Sequence, residues 1–359
     1  MEDLGQYGWN EHWARLLEQH APGLEPGRVV RHDGAGMVVV GANGTRMVMF
    51  TQRLDPAPTV GDWIALGPTG PVSVLPRTSL LRRRNAMRDT EQVLAANVDV
   101  VLLVCGLDRP IKAGKLQRGA ALAADAGAAA VVVLTKADRV GSQDVTEALA
   151  EIANAMPDTE VVVTSVKEGS GVPELLAIVQ GRTLTMLGES GAGKSSIVNA
   201  VLGVGTVAEG AVRDGDSKGR HTTTSRQLHA LPGGGVLIDT PGIRSIGLWV
   251  ETESVDATFV DIEDMSARCR FSDCAHDREP GCAVQRAIAN GRITAERVEA
   301  WRVLSAEAAA AGTAGRVGRQ DRAGNRPGAG TGARPASPGK ASKTGNGPGN
   351  GRSKPRRKG

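Results

Sequence analysis

The stretch Thr183-Leu184-Thr185-Met186-Leu187-Gly188-Glu189-Ser190-Gly191-Ala192-Gly193-Lys194-Ser195-Ser196 decides the fold. An apolar strand runs into a glycine-rich loop, and the loop opens a helix. Gly188 to Ser195 fits G-x-x-x-x-G-K-[ST], and the strand before it and helix after it make that match specific. The glycines let backbone N–H groups wrap phosphates. Lys194 places a charge on the β and γ phosphates, and the Ser195 hydroxyl is a magnesium ligand. Gly188, Glu189, Ser190, Gly191, Ala192, Gly193, Lys194, Ser195 and Ser196 are therefore expected to hold a nucleotide.

Downstream, Val236-Leu237-Ile238-Asp239-Thr240-Pro241-Gly242 is an apolar strand ending in Asp and Pro-Gly, 44 residues after Ser195. It resembles the metal and switch element of GTPases. Asp239 would hold magnesium through water, and the Gly242 N–H would meet the γ-phosphate. Between the two lies Gly219-Arg220-His221-Thr222-Thr223-Thr224. Here Thr223 is the first choice for the switch threonine on magnesium, with Thr222 second.

Base identity is carried by an earlier part of the chain. Thr135-Lys136-Ala137-Asp138 resembles the N/T-K-x-D guanine motif. Asp138 can accept from guanine N1–H and the N2 amino group, which adenine does not offer in that pattern. The Lys136 stem can cover the ring. Thr135 replaces the commoner Asn and puts a side-chain contact to N7 in doubt. Thr164-Ser165-Val166 resembles the element whose backbone N–H meets guanine O6. The guanine motifs thus precede the phosphate loop, the reverse of the Ras-like order. A parallel sheet tolerates this if the old termini are joined and new ones open after the switch.

The stretches around this core differ in character. Residues 93–250 alternate strand and helix, as in a parallel sheet covered on both faces. Residues 26–80 hold five short strand-like runs punctuated by Gly34, Gly36, Asn43-Gly44, Gly61-Asp62 and Gly67-Pro68. They fit a small barrel, an OB-fold first and an SH3-like barrel as the alternative. Residues 1–25 carry Trp9, Trp13, Leu16 and Leu17 at near-helical spacing. Residues 81–92 read as a basic linker. Arg77, Arg82, Arg83, Arg84 and Arg88 cluster between the barrel and the GTPase core, either as contacts to rRNA phosphates or as a solvated linker.

Residues 251–311 contain Cys269-x4-Cys274-x-His276-x5-Cys282, then a helical stretch from Val284 to Ala311. Four soft or borderline ligands suit one closed, structural, tetrahedral zinc. Cys105 ends an apolar strand and reads as core. Residues 312–359 read as a disordered basic tail. From 313 onward there are 12 Lys or Arg, one Asp and 12 Gly, a net of +11 in a chain whose total is +4. Such a tail cannot bury enough apolar surface to order itself. Its charge suits a polyanion such as RNA, or simply solubility. No apolar run reaches the ~18 residues of a membrane helix. The acidic start Met1-Glu2-Asp3-Leu4 lacks a signal-peptide layout. A cytoplasmic monomer with no membrane contact is expected.

A small barrel, a permuted GTPase and a Cys3His knot in one chain resemble the RsgA (YjeQ) family of small-ribosomal-subunit biogenesis GTPases. The likeness rests on residues 188–195, Arg220 to Thr224, Asp239 to Gly242, Thr135 to Asp138 and the cysteine cluster, within roughly residues 28–300. The resemblance implies an OB-fold and binding of GTP and GDP. It also implies GTP hydrolysis stimulated by the 30S subunit and its 16S rRNA, late in that subunit's maturation. Ile243 occupies the position where many GTPases orient water with glutamine. His221 is then the nearest candidate catalyst, with a plain loop residue as the alternative. Gly191 stands where potassium-activated relatives carry Asn, so potassium is not invoked. A scaffold with negligible turnover and a P-loop kinase or ATPase are the competing readings. Lys194, Ser195, Thr223 and Asp239 speak against the first and Asp138 against the second.

Overall fold

The computed structural model describes residues 3–33, 36–50, 53–85, 90–203, 226–239 and 252–324. Thr222, Thr223, His221, Gly242, Ile243, Arg88 and the tail beyond Gly324 lie outside them.

The N-terminal segment begins with helix α1 (Glu11–His20), whose first N–H groups are capped by the Asn10 side chain. Its buried residue is Trp13, set against Trp63, and Trp9 meets the same ring edge-on at 4.7 Å. Five antiparallel strands follow: β1 (Glu25–His32), β2 (Gly36–Gly41), β3 (Gly44–Met49), β4 (Trp63–Gly67) and β5 (Gly70–Val74). β1 hydrogen-bonds to both β2 and β4, giving the order β5-β4-β1-β2-β3. Val29, Met37, Val39, Val48, Ile64 and Leu66 fill its interior, the inward set of a period-two pattern.

The expected linker is a hairpin instead. β6 (Leu80–Asn85) pairs with β7 (Thr90–Ala96) over most of its length. The misreading came from its arginines, which look solvated in a linear sequence. Arg77 forms a bidentate pair with the fully buried Asp62, at 2.8 Å through both Nε and Nη2. Arg82 reaches Asp125 at 3.0 Å, and Arg83 donates to Gln92. Arg77, just before the hairpin, and Arg82, within it, are paired with buried carboxylates, and Arg83 bonds across the hairpin itself.

The core sheet continues through β8 (Val100–Gly106), α2 (Ala113–Ala126), β9 (Ala129–Thr135), α3 (Ser142–Ala155), β10 (Glu160–Val163), α4 (Val172–Val179), β11 (Thr183–Gly188), α5 (Lys194–Leu202), β12 (Gln227–Ala230) and β13 (Val236–Asp239). The order is β10-β9-β8-β11-β13-β12, parallel except for β12, and β12 meets β1 at Arg31 and Gln227. Side-chain parity sorts the faces. Val101, Leu103, Val132, Leu134 and Ile238 join α2 and α3 on one side. Val100, Leu102, Val131, Val133 and Leu237 join α4 and α5 on the other.

Four helices complete the description: α6 (Thr252–Thr258), α7 (Val260–Ser266), α8 (Ala283–Ala289) and α9 (Ala295–Gly324). Two differences from the sequence reading appear here. The expected single helical stretch breaks between Ala289 and Ala295, with Gly291 at φ +67°. α9 continues to Gly324, past the expected start of a disordered tail at 312. The alanines of this helix fall mostly before Gly312, in the run Ala308 to Ala311, where they favour helix. No helix among the described residues is long and apolar enough to cross a membrane.

The Arg77–Asp62 pair yields a stability prediction. Burial pushes the Asp62 carboxyl up, while Arg77 and the Thr59 N–H oppose it. Arg77→Ala strands that carboxylate and should cost about 3–5 kcal/mol in urea unfolding. Arg83→Ala, which loses a bond to a neutral amide, should cost about 1 kcal/mol. Equal costs for the two would refute the buried pair's dominance.

Candidate functional site

A parallel sheet presents the carboxyl ends of its strands along one edge, and loops leaving those ends share one crevice. Here β8 delivers Asp108 and Arg109, and β9 delivers Thr135 to Asp138. β10 delivers Thr164 to Val166, β11 delivers Gly188 to Ser195, and β13 delivers Asp239. Chain order is irrelevant to that convergence.

Backbone geometry shapes the phosphate loop. Gly188 Cα lies so near β8 that a Cβ would sit 2.4 Å from the Val104 carbonyl oxygen. Gly193 caps α5 at φ +97°, a left-handed conformation that glycine adopts without strain. The Lys194 ammonium donates to the Gly188 and Glu189 carbonyls, both at 2.7 Å. Ser195 and Ser196 follow in the first turn of α5, half-buried. Asp239 lies within the electrostatic field of Lys194. Burial pushes its carboxyl up, and His229 and Lys194 pull it back.

The guanine motif joins the same loop. Lys136 takes φ +64° and bridges the Asp108 carboxylate at 2.7 Å and the Gly191 carbonyl at 2.6 Å. The Thr135 hydroxyl donates to the Ala192 carbonyl at 2.5 Å. Asp138 accepts from the Ser165 hydroxyl at 2.8 Å, and that bond holds its carboxyl below the usual range. The Ser165 N–H is engaged with the Ser170 carbonyl, and the Val166 N–H follows it at the same turn.

Sequence reading missed the segment after β8. Arg109 donates to the Ser190 and Gly191 carbonyls at 3.1 and 3.4 Å. Lys112 and Lys115 both bond Glu189, and these bonds, Lys115 first, bring its carboxyl down to about 2. The signal was three cations in the nine residues after a strand end, at a sheet edge already expected to bind anions. Cys105 is half-buried and packs against the main apolar core. It lines a cavity of about 260 Å³ behind the phosphate loop, and burial raises its thiol to about 11.

The second candidate site is the cysteine cluster. The ligand atoms of Cys269, Cys274, His276 and Cys282 lie within 4.8 Å of one another. Cys269 Sγ stands 3.9 Å from Cys282 Sγ, and His276 Nδ1 stands 3.5 and 3.6 Å from those sulfurs. Tetrahedral zinc with bonds of about 2.3 Å to sulfur and 2.0 Å to nitrogen needs separations of about this size. The residues fit the ion. His276 itself is in the left-handed region, at φ +59°. Its carbonyl accepts from Gln285 of α8 at 2.6 Å and from Arg302 of α9 at 2.5 Å, which hold the turn.

The ring is oriented from α7. Ser266 Oγ donates to the Ile262 carbonyl at 2.9 Å, so toward His276 Nε2, 3.2 Å away, it accepts. Nε2 therefore carries the proton, and Nδ1 presents its lone pair to the sulfurs. Ser266→Ala should speed zinc loss to a chelator by roughly 10–100-fold, the usual cost of removing such a partner. Zinc content by elemental analysis, followed during chelator challenge, reads this out. Retention equal to the unsubstituted protein would remove the role given to Ser266.

Comparison with known proteins agrees with this geometry. The RsgA GTPase family model matches residues 74–249. The small ribosomal subunit biogenesis GTPase RsgA of Streptomyces coelicolor is 44% identical over 316 residues, 85% of this chain and 86% of that protein. Its counterpart in Streptomyces avermitilis is 42% identical, covering 85% of each. The crystal structure of YjeQ from Thermotoga maritima matches with a TM-score of 0.61 at 28% identity, over 79% of this chain and 98% of that one. YloQ, described as a circularly permuted GTPase, shares the fold with a TM-score of 0.59 at 21% identity, over 80% of this chain and 96% of its own. With nucleotide motifs meeting at one sheet edge in permuted order, and with relatives this similar over most of its length, the chain belongs to the RsgA GTPase family.

Proposed function

We propose that the protein hydrolyses GTP to GDP and phosphate as a magnesium-dependent switch in late maturation of the small ribosomal subunit. One observation carries the reading: the Asp138–Ser165 pair and the Lys194 loop lie on one sheet edge, bridged by Lys136. Asp138 reads guanine N1–H and N2, and the Val166 N–H meets O6. Lys136 covers the ring. On binding, the Lys194 ammonium turns from two carbonyl dipoles to the charged β and γ phosphates, a stronger partner. Ser195 and Asp239 are hard oxygen donors suited to magnesium, and Asp239's burial favours a nearby cation. Magnesium, when bound, offsets charge on the phosphates. Thr223 is assigned to magnesium and Gly242 to the γ-phosphate, in the segments outside the described residues. His221 is assigned to orient the attacking water, because Ile243 has no polar group.

The remaining assignments belong to the same proposal. The five-stranded unit is read as an OB-type barrel, since β1 pairs with both β2 and β4. Zinc occupies the Cys3His cluster as a structural ion. The partners are the 30S subunit and its 16S rRNA, met by a cytoplasmic monomer, with the basic tail contributing charge. Relatives named for small-subunit biogenesis support this.

A multiple-turnover assay with and without 30S subunits tests the whole. GTP should turn over faster with subunits, and ATP should not substitute. Equal use of ATP, or turnover indifferent to subunits, would overturn the reading. Asp138→Asn should shift preference to xanthosine nucleotides. Lys194→Ala should impair both binding and turnover. His221→Ala should keep GTP affinity while stimulated hydrolysis falls roughly tenfold to ten-thousandfold. Unchanged stimulated turnover in His221→Ala would place the water-orienting group elsewhere.

A further inference from the structure

We infer that this site reads guanine along its Watson–Crick edge alone and leaves N7 unread, because the Thr135 hydroxyl is committed to the phosphate loop. The inference rests on the guanine reading proposed above.

Guanine N7 is an acceptor and requires a donor. A threonine side chain has one donor proton. At Thr135 that proton lies on the Ala192 carbonyl at 2.5 Å, and the next nearest acceptor, the Cys105 carbonyl, is at 3.3 Å. Both belong to backbone around the phosphate loop and β8, not to the base side. The side chain has no room to change its allegiance. Thr135 is 3% exposed, and a Cβ placed on Gly193 would come within 2.9 Å of its Oγ1 and 3.2 Å of its Cβ. Branching at Cβ restricts χ1 further. The remaining γ-carbon cannot donate.

An asparagine at this position carries two N–H donors and a carbonyl. It can serve loop and base together. Threonine keeps the loop contact and gives up the base contact. Specificity then falls to Asp138, fixed by Ser165, and to the Val166 N–H. Thr135 is thus a positioning residue. It docks the guanine loop onto the phosphate loop and defines which atoms of the base go unrecognised.

The test uses the full chain and competition of GDP, 7-deaza-GDP, IDP and ADP against a fluorescent guanine nucleotide. The 7-deaza analogue lacks the N7 acceptor, and IDP lacks the N2 amino group. GDP and 7-deaza-GDP should bind within about twofold of each other. IDP should bind weaker by on the order of tenfold, for the lost bond to Asp138. Thr135→Val should weaken GDP and 7-deaza-GDP together and leave their ratio unchanged, which a purely structural loss of loop contact predicts. Thr135→Asn should open a preference for GDP over 7-deaza-GDP of about fivefold or more. A tenfold preference for GDP in the unsubstituted protein, abolished in Thr135→Val, would show that Thr135 does read N7 and overturn the inference. That outcome leaves the guanine reading intact so long as ADP fails to compete. ADP competing as well as GDP would instead remove the guanine reading itself.

Discussion

The hydrogen-bonded register of β11 against β8 is the constraint on which the site depends. Leu184 pairs with Val100 and the ladder runs to Gly188 opposite Val104. That places the start of the phosphate loop against the end of β8, with no room for a side chain at Gly188. Because β8 also pairs with β9, the guanine loop is carried to the same edge. Hydrogen bonds between parallel strands depend on direction and register, not on which strand was made first. A permuted chain therefore rebuilds the same crevice.

Electrostatics then hold the loop before any nucleotide arrives. Lys136, Arg109 and Lys194 donate to the carbonyls of Gly191, Ser190, Gly188 and Glu189, and Lys112 and Lys115 take the Glu189 side chain. Carbonyls turned toward cations leave the loop's N–H groups for the phosphates. The concentration of positive charge also favours an anionic ligand. Away from the crevice, buried ion pairs serve packing. Arg82 on Asp125 fastens the β6–β7 hairpin to α2, and Arg77 on Asp62 fastens the segment leading into it. Arg28, fully buried, lies over the Trp63 ring at 4.9 Å and reaches Thr183 at the start of β11. Its pKa is lowered by desolvation to about 10, against the opposing pull of Asp99 and Asp62. It joins the antiparallel unit to the first residue of the strand that leads to Lys194.

The cysteine cluster follows the same logic on a smaller scale. Three sulfurs and one ring nitrogen converge because α7, α8 and α9 each grip His276: Ser266 on its ring, Gln285 and Arg302 on its carbonyl. Backbone N–H groups at Ala283 and Gln285 also point to Cys269 and Cys282 sulfurs. At Cys269 such backbone bonds hold the thiol below its usual range despite desolvation and favour thiolate.

By itself the sequence determined the features that are local along the chain. Strand and helix periodicity gave β8 through α5, and glycine spacing gave the phosphate loop. The intervals among Cys269, Cys274, His276 and Cys282 gave the Cys3His cluster. Each depends on residues a few positions apart, where backbone geometry fixes what neighbours can do. Only the tertiary structure decided which distant groups satisfy one another. Arg77 looked like a free cation until the fold set it 2.8 Å from Asp62. Arg109 had no assigned role until β8 and β11 became neighbours. Thr135 matched a base-reading motif, yet 57 residues on along the chain the Ala192 carbonyl takes its only proton. A polar side chain's partner is chosen by proximity in space and by the cost of leaving a buried donor unpaired, and neither is written in local spacing.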